Sequence, residues 1–222
     1  MKNRYRTKKE KVYSSIQKEI MNGKLAPGER LVISNLADQF NVSEIPVREA
    51  LQTLSSEGYV ELMPHVGAIV STLSEEEIRE IFELRTCMEA LATQLAVDHL
   101  TNFHLKKLEE MIESSKEILT STEYQFEEYA KHNREFHEYI YRHCNNTRLY
   151  KIIFELWDYS NRYPQIFQTT EALQNSIEEH TEIFNALKER NANLAAELTK
   201  KHKHKAYKTL LDMLKNYNGQ YI

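Results

Sequence analysis

The chain has 222 residues, enough for one small domain and one of ordinary size, and its 41% hydrophobic residues can supply a core to each. Two cysteines, Cys87 and Cys144, exclude a disulfide framework, five glycines and four prolines favour a mainly helical fold, and no apolar run reaches the length of about 18 residues that a membrane-spanning helix needs. The net charge of −4 conceals an asymmetry: residues 1–72 carry ten Lys/Arg against eight Asp/Glu, whereas residues 73–222 carry nineteen against twenty-five.

The N-terminal MKNRYRTKKEK lacks the apolar core of a signal peptide, so a cytoplasmic protein with reduced thiols is expected. Its six basic residues against one Glu form an arm suited to following a phosphate backbone. Val12, Ile16 and Ile20 then space out a first helix ending near Asn22-Gly23. Leu25 to Leu31 reads as a loop around Pro27-Gly28, with Arg30 at its end within reach of a phosphate.

From Ser34 to Leu62 the pattern is two short helices, a tight turn, and a strand leading into a wing. Ser34 is placed to N-cap the first helix, whose apolar edge is Leu36, Ala37 and Phe40, and Asn41-Val42-Ser43 supplies a turn with a second N-cap at Ser43. Pro46 falls in the first turn of the next helix, where a missing N–H is tolerated. Val47, Ala50, Leu51 and Leu54 form that helix's buried face, leaving Glu44, Ile45, Arg48 and Gln52 to point outward. Two helices joined by so short a turn cross steeply, and in a helix-turn-helix the N-terminal part of the second enters the major groove of DNA. Two β-rich runs, Tyr59 to Leu62 and Ala68 to Ser71, flank Met63 to Gly67 as a two-stranded wing. Gly67 would let the backbone approach DNA, and His65 is positioned for the minor groove.

PGERL at Pro27 to Leu31, LADQFNVSEIPVREAL at Leu36 to Leu51 and EGYVEL at Glu57 to Leu62 resemble the winged helix-turn-helix of GntR-family bacterial transcription regulators. The resemblance implies a dimer on a roughly two-fold double-stranded DNA operator. The candidate DNA contacts are Arg30, Ser34, Ser43, Glu44, Ile45, Arg48, His65 and Gly67. In similar regulators basic residues are common at the positions of Ser34, Glu44 and Val66, so Arg48 stands as the sole basic residue of this recognition helix.

A domain boundary near Thr72-Leu73 separates this domain, residues 1–72, from residues 73–222. Ser74-Glu75-Glu76-Glu77 reads as a capping box, and helices are predicted over 75–99, 102–120, 123–144, 147–163, 176–189 and 192–216. Thr101, Ser176 and Asn191 are expected to cap helices, and Pro164 to end the fourth of these. Each carries an apolar stripe, so the second domain should be an antiparallel all-α bundle.

Some polar residues lie on these stripes. Asn133 and His137 share a face at i, i+4, while His180 and His202 lie among apolar residues of the two last helices, and His204 falls on roughly the opposite face. Three inward histidines converging with an amide would suit a divalent metal: Zn or Ni foremost, Mn or Fe as alternatives. Histidines satisfied singly within the core are the bland alternative. Arg85 also lies on an apolar stripe, where a guanidinium needs an anionic partner, either an internal Glu or a ligand.

NREFH at Asn133 to His137, EEHTEIFNAL at Glu178 to Leu187 and the run from Asn191 to His202 resemble the FCD ligand-binding domain of the FadR subfamily of GntR regulators, with about six helices suggesting its VanR-type branch. In many such domains one Asp and three His hold a divalent metal. The resemblance puts Asn133 in the Asp position and His137, His180 and His202 in the His positions, and it implies that Arg85 and the open metal position grip a small organic acid. The function implied is a metabolite-responsive repressor. Its alternatives are a regulator with the metal itself as signal, or a metalloenzyme, for which Glu135 is the only nearby base and lies off the ligand face.

Overall fold

Apolar side chains at four-residue spacing seat the first helix: Val12, Ile16 and Ile20 of α1 (Lys8–Met21) are all buried. The structure, a computed structural model, describes residues 7–21, 23–64, 66–72, 74–120, 125–160 and 169–218, with side chains up to residue 213. It divides into two compact units between Ser74 and Glu75.

In the first unit, α2 (Ile33–Phe40) and α3 (Glu44–Ser56) are joined by a turn in which Asn41 adopts the left-handed conformation, φ 50°, ψ 53°. Asparagine tolerates that region better than other side chains. The N–H groups of Asn41 and Val42 bond back to Asp38 O and Ala37 O at 3.2 and 3.0 Å, so the end of α2 is satisfied while the chain reverses. Val47, Ala50, Leu51 and Leu54 of α3 are fully buried between α1, α2 and the sheet, each contributing roughly 1–3 kcal/mol according to its size.

The sheet has three strands, β1 (Arg30–Val32), β2 (Val60–Met63) and β3 (Gly67–Val70), in the antiparallel order β1-β3-β2. The predicted wing held only two. The extra strand is Arg30–Val32, read from sequence as the end of a loop; it pairs Arg30 with Ile69, Leu31 with Ala68 and Val32 with Gly67. Because β1 leads directly into α2, the helix begins at Ile33, which is buried, and Val32 occupies the cap position. Ser34 therefore lies exposed inside the first turn and is not the cap.

The second unit holds α4 (Glu75–Ala96), α5 (Asn102–Leu119), α6 (Gln125–Arg142), α7 (Thr147–Ser160), α8 (Thr170–Lys188) and α9 (Ala192–Asn218). α4 packs against α9 and α6, α5 against α6 and α8, and α8 against α9. Thr101 caps α5 and the Asn191 side chain accepts from Leu194 N, as predicted. Ser176 does not cap. α8 starts earlier, with Thr169 accepting from Ala172 N at 3.1 Å, because the buried face already includes Leu173, and Ser176 lies buried within the helix. Pro164 lies outside the described residues. No described helix is long and apolar enough to cross a membrane.

Candidate functional site

The surface end of α3 is the first candidate. Ser43 occupies the N-cap position without a side-chain cap bond, and Ser43, Glu44, Ile45, Arg48 and Gln52 are exposed, Ile45 to 67%. An isoleucine exposed to that degree at the start of a helix is free to contact a thymine methyl or a sugar. Arg48 Nη2 donates to Glu44 Oε2 at 2.8 Å, an i, i+4 pair with both side chains half exposed. Glu44 thus neutralises the one basic side chain of this face. Arg30 is exposed on β1. Gly67 is buried, and the structure supplies its own reason for glycine there: a Cβ would lie 1.9 Å from Leu31 O of the paired strand. His65 lies outside the described residues.

The second candidate is built from α6, α8 and α9. His137, His180 and His202 are all buried, and each offers a ring nitrogen within 4.8 Å of the others. His137 Nε2 lies 3.1 Å from His202 Nε2 and 3.1 Å from His180 Nε2. The remaining contacts settle where two of the ring protons reside. Tyr141 donates its only proton to Glu89 Oε2 at 2.7 Å, so the 3.0 Å contact between Tyr141 and His137 Nδ1 requires His137 Nδ1–H to be the donor. His202 Nδ1 lies 2.6 Å from Glu179 Oε2, an acceptor, and therefore also carries a proton. Both rings consequently turn Nε2 lone pairs inward. Carboxylate and hydroxyl partners of this kind are what orient metal-binding imidazoles.

Burial, with the Lys203 charge next, holds His137 well below the ordinary histidine value. Burial, followed by His202 and Lys203, does the same to His180. Burial also lowers His202, outweighing the opposing pull of Glu179. Lowered in this way, the imidazoles favour the neutral form, the one that could hold a metal ion. Adjacent ligands of a metal bound at about 2.1 Å lie roughly 3.0–3.4 Å apart, so the two 3.1 Å separations fit a common ion, whereas the 4.8 Å span of the set means that the outer two rings must close on it. Asn133, one turn before His137, is half-buried, and its Oδ1 has no hydrogen-bond partner among the described residues. The described residues that could hold a divalent cation together are the three histidines, and Asn133 carries an orphaned amide oxygen on the same face of α6 as His137. His202 also borders a surface cleft lined by Thr86, Glu182, Lys200 and Lys201. His204 is exposed, as predicted from its angular offset.

Arg85 is buried and its internal partner is Glu89, with Nε donating to Oε1 at 2.9 Å. Lys203, also buried, donates to Glu89 Oε2 at 2.8 Å. Burial would raise the Glu89 carboxyl, but Lys203 and then Arg85 overcome it and hold the group at about 2. Burial lowers Lys203 to about 8 despite the attraction of Glu89, leaving it charged at neutral pH. Glu89, Tyr141, Glu179 and Lys203 were not singled out from sequence. The signals were present: Glu89 follows Arg85 and Tyr141 follows His137 by one helical turn, and Glu179 and Lys203 each adjoin a candidate histidine.

Comparison with known proteins matches both parts of the chain. Residues 8–70 match the family of bacterial regulatory proteins, gntR family, and residues 80–205 match the FCD domain. The chain is 30% identical over 186 residues to the uncharacterized HTH-type transcriptional regulator YdhC of Bacillus subtilis (strain 168), covering 82% of each chain. It is 28% identical over 204 residues to the HTH-type transcriptional repressor GlaR of Escherichia coli (strain K12), covering 86% of this chain and 90% of that one. The solved structure of E. coli McbR/YncC superimposes with a TM-score of 0.71 at 25% identity, over 94% of this chain and 99% of that one. A winged helix-turn-helix followed by a helical unit with a buried three-histidine centre, matched over both parts, makes the chain a member of the GntR family of DNA-binding transcription regulators, of the FadR type with a C-terminal FCD domain.

Proposed function

We propose that the protein is a cytoplasmic, dimeric repressor whose helical domain, residues 73–222, holds a divalent metal and a small carboxylate effector and thereby governs operator binding by the domain of residues 1–72. The observation that carries this reading is the convergence of buried imidazole nitrogens beside the Arg85 guanidinium: His137, Arg85 and Lys203 all lie against the ring of Trp157. His137, His180 and His202 hold the metal through Nε2, with Asn133 Oδ1 as a neutral fourth donor. When bound, Zn or Ni supplies a Lewis-acidic position to which an anionic effector oxygen is attracted; Mn or Fe would do so with weaker imidazole bonds. Arg85 binds the effector carboxylate. Several similar proteins are named as repressors, GlaR among them.

In the DNA-binding domain, Arg48 and the basic arm attract the backbone, Glu44 and Ile45 meet base edges, and Ser34, Ser43 and Arg30 contact phosphates. His65 and Gly67 bring the wing to the minor groove. An effector that binds one relative placement of the two DNA-binding domains better than another shifts their population and hence operator affinity.

The test has two arms. Metal analysis of the purified protein should show bound divalent ion that is lost in a His137→Ala, His180→Ala double variant; equal metal content would reject the ligand set. A mobility shift on the duplex upstream of the protein's own gene should weaken with salt and be lost in Arg48→Ala, and a thermal-shift screen of organic acids with and without metal should find acids whose stabilisation depends on the ion.

A further inference from the structure

The buried charges next to the histidine centre do not cancel. Arg85 and Glu89 lie one turn apart on α4 and Lys203 projects from α9, with 6%, 0% and 3% of their surfaces exposed. Glu89 Oε1 accepts from Arg85 Nε, while Oε2 accepts from both Lys203 Nζ and Tyr141. The carboxylate is fully used. Arg85 is not: among the described residues only its Nε has a hydrogen-bond partner, and both terminal N–H₂ groups remain. The guanidinium carbon and the Lys203 ammonium sit 4.7 and 4.5 Å from the Trp157 ring centroid, which disperses some charge but accepts no such bond. Glu179 does not make up the difference, since its oxygens go to His202 Nδ1 at 2.6 Å and Lys205 Nζ at 2.5 Å.

We infer that Lys203 is the residue that makes Arg85 available to an external anion: by neutralising Glu89 it leaves the guanidinium with one uncompensated charge and an unused donor edge, a seat for one carboxylate. Without Lys203, Arg85 and Glu89 would form a closed, neutral pair. With it, two cations share one carboxylate among the described residues, and the net positive charge favours an arriving anion. The seat therefore selects a carboxylate over a neutral isostere of the same shape, because an amide or alcohol leaves the charge unmatched. This inference rests on the effector reading of the centre and adds to it the residue that sets the effector's charge. Lys203 is a positioning residue here: it acts through Glu89.

Trp157, the sole tryptophan of the chain, is a built-in reporter. Zn-loaded full-length protein is titrated at constant ionic strength with acetate, lactate, succinate and citrate, and with acetamide as neutral control, following Trp157 fluorescence and heat. At least one of the four acids should bind and acetamide should not. Lys203→Met should weaken that acid by about ten-fold or more, the scale of a lost charged hydrogen-bond site. Glu89→Gln should tighten it, and the double variant Lys203→Met, Glu89→Gln should regain wild-type affinity because Arg85 again lacks an internal anion. Opposite signs for the two single variants, with rescue in the double, are not produced by mere loss of packing. Wild-type affinity in Lys203→Met, absence of rescue, or equal binding of acetamide would overturn the role of Lys203. Undiminished binding in Arg85→Met would instead overturn the effector reading, and failure of all four acids on wild type would overturn both.

Discussion

Replacing Glu44 by alanine separates what the recognition helix needs in order to fold from what it needs in order to meet DNA. The Glu44–Arg48 contact is 2.8 Å long and each side chain is 50% exposed. Water screens such a pair, so its loss costs roughly 0.3–0.5 kcal/mol. Removing an acidic group from the first turn of α3 adds about 0.3–1 kcal/mol through the helix dipole. The sum is about 1 kcal/mol, a change of a few degrees in Tm. DNA binding should respond more strongly, because the substitution deletes a negative charge from the face proposed to meet DNA and releases the guanidinium of Arg48. Each further phosphate that the protein neutralises steepens the dependence of log K on log salt by about 0.9. Fluorescence anisotropy on the upstream duplex and on a scrambled duplex, across about 50–200 mM salt, reads both quantities. Glu44→Ala should bind the scrambled duplex more tightly, steepen the salt slope by up to that amount, and narrow the ratio between the two duplexes. An unchanged slope together with an unchanged ratio would refute the reasoning and place Glu44 away from the nucleic acid.

Three further outcomes are expected. Asn133→Asp places a charge where an orphaned amide oxygen now lies, and competition with a chromogenic chelator should show metal binding tightened by about ten-fold or more; equal affinity would remove Asn133 from the ligand set. Gly67→Ala forces a Cβ to 1.9 Å from Leu31 O, so the β1–β3 pairing must open, and denaturant titration should show the DNA-binding unit weakened by about 2 kcal/mol or more; an unchanged midpoint would contradict the β1–β3 register. Glu89 has a folded-state pKa depressed from 4.5 to about 2, so its stabilisation is present above pH 4.5 and is lost as pH falls from there toward 2. That difference is worth roughly 3 kcal/mol, and acid unfolding followed by circular dichroism should be shallower by about that much in Glu89→Gln; an identical acid profile would show that Glu89 is not ionised in the fold.

Helical periodicity made much of this protein legible without coordinates. A residue type that repeats with the helix turn reports its own direction, which is why Asn133 and His137, His180 and His202 could be assigned inward faces one helix at a time. The turn at Asn41-Val42-Ser43 and the buried face of α3 were readable for the same reason, since they depend on neighbours within a few residues. Tertiary structure decided what depends on distant partners. A strand of three residues has too little pattern to declare itself, and Arg30–Val32 becomes β1 only by pairing with β3. The need of the sheet for a glycine at position 67 became visible only once that strand was in place. Likewise, an inward arginine announces the need for an anion but not which one. The answer, Glu89 shared with Lys203 from a helix more than a hundred residues away, is a matter of charge balance in three dimensions, which no one-dimensional pattern encodes.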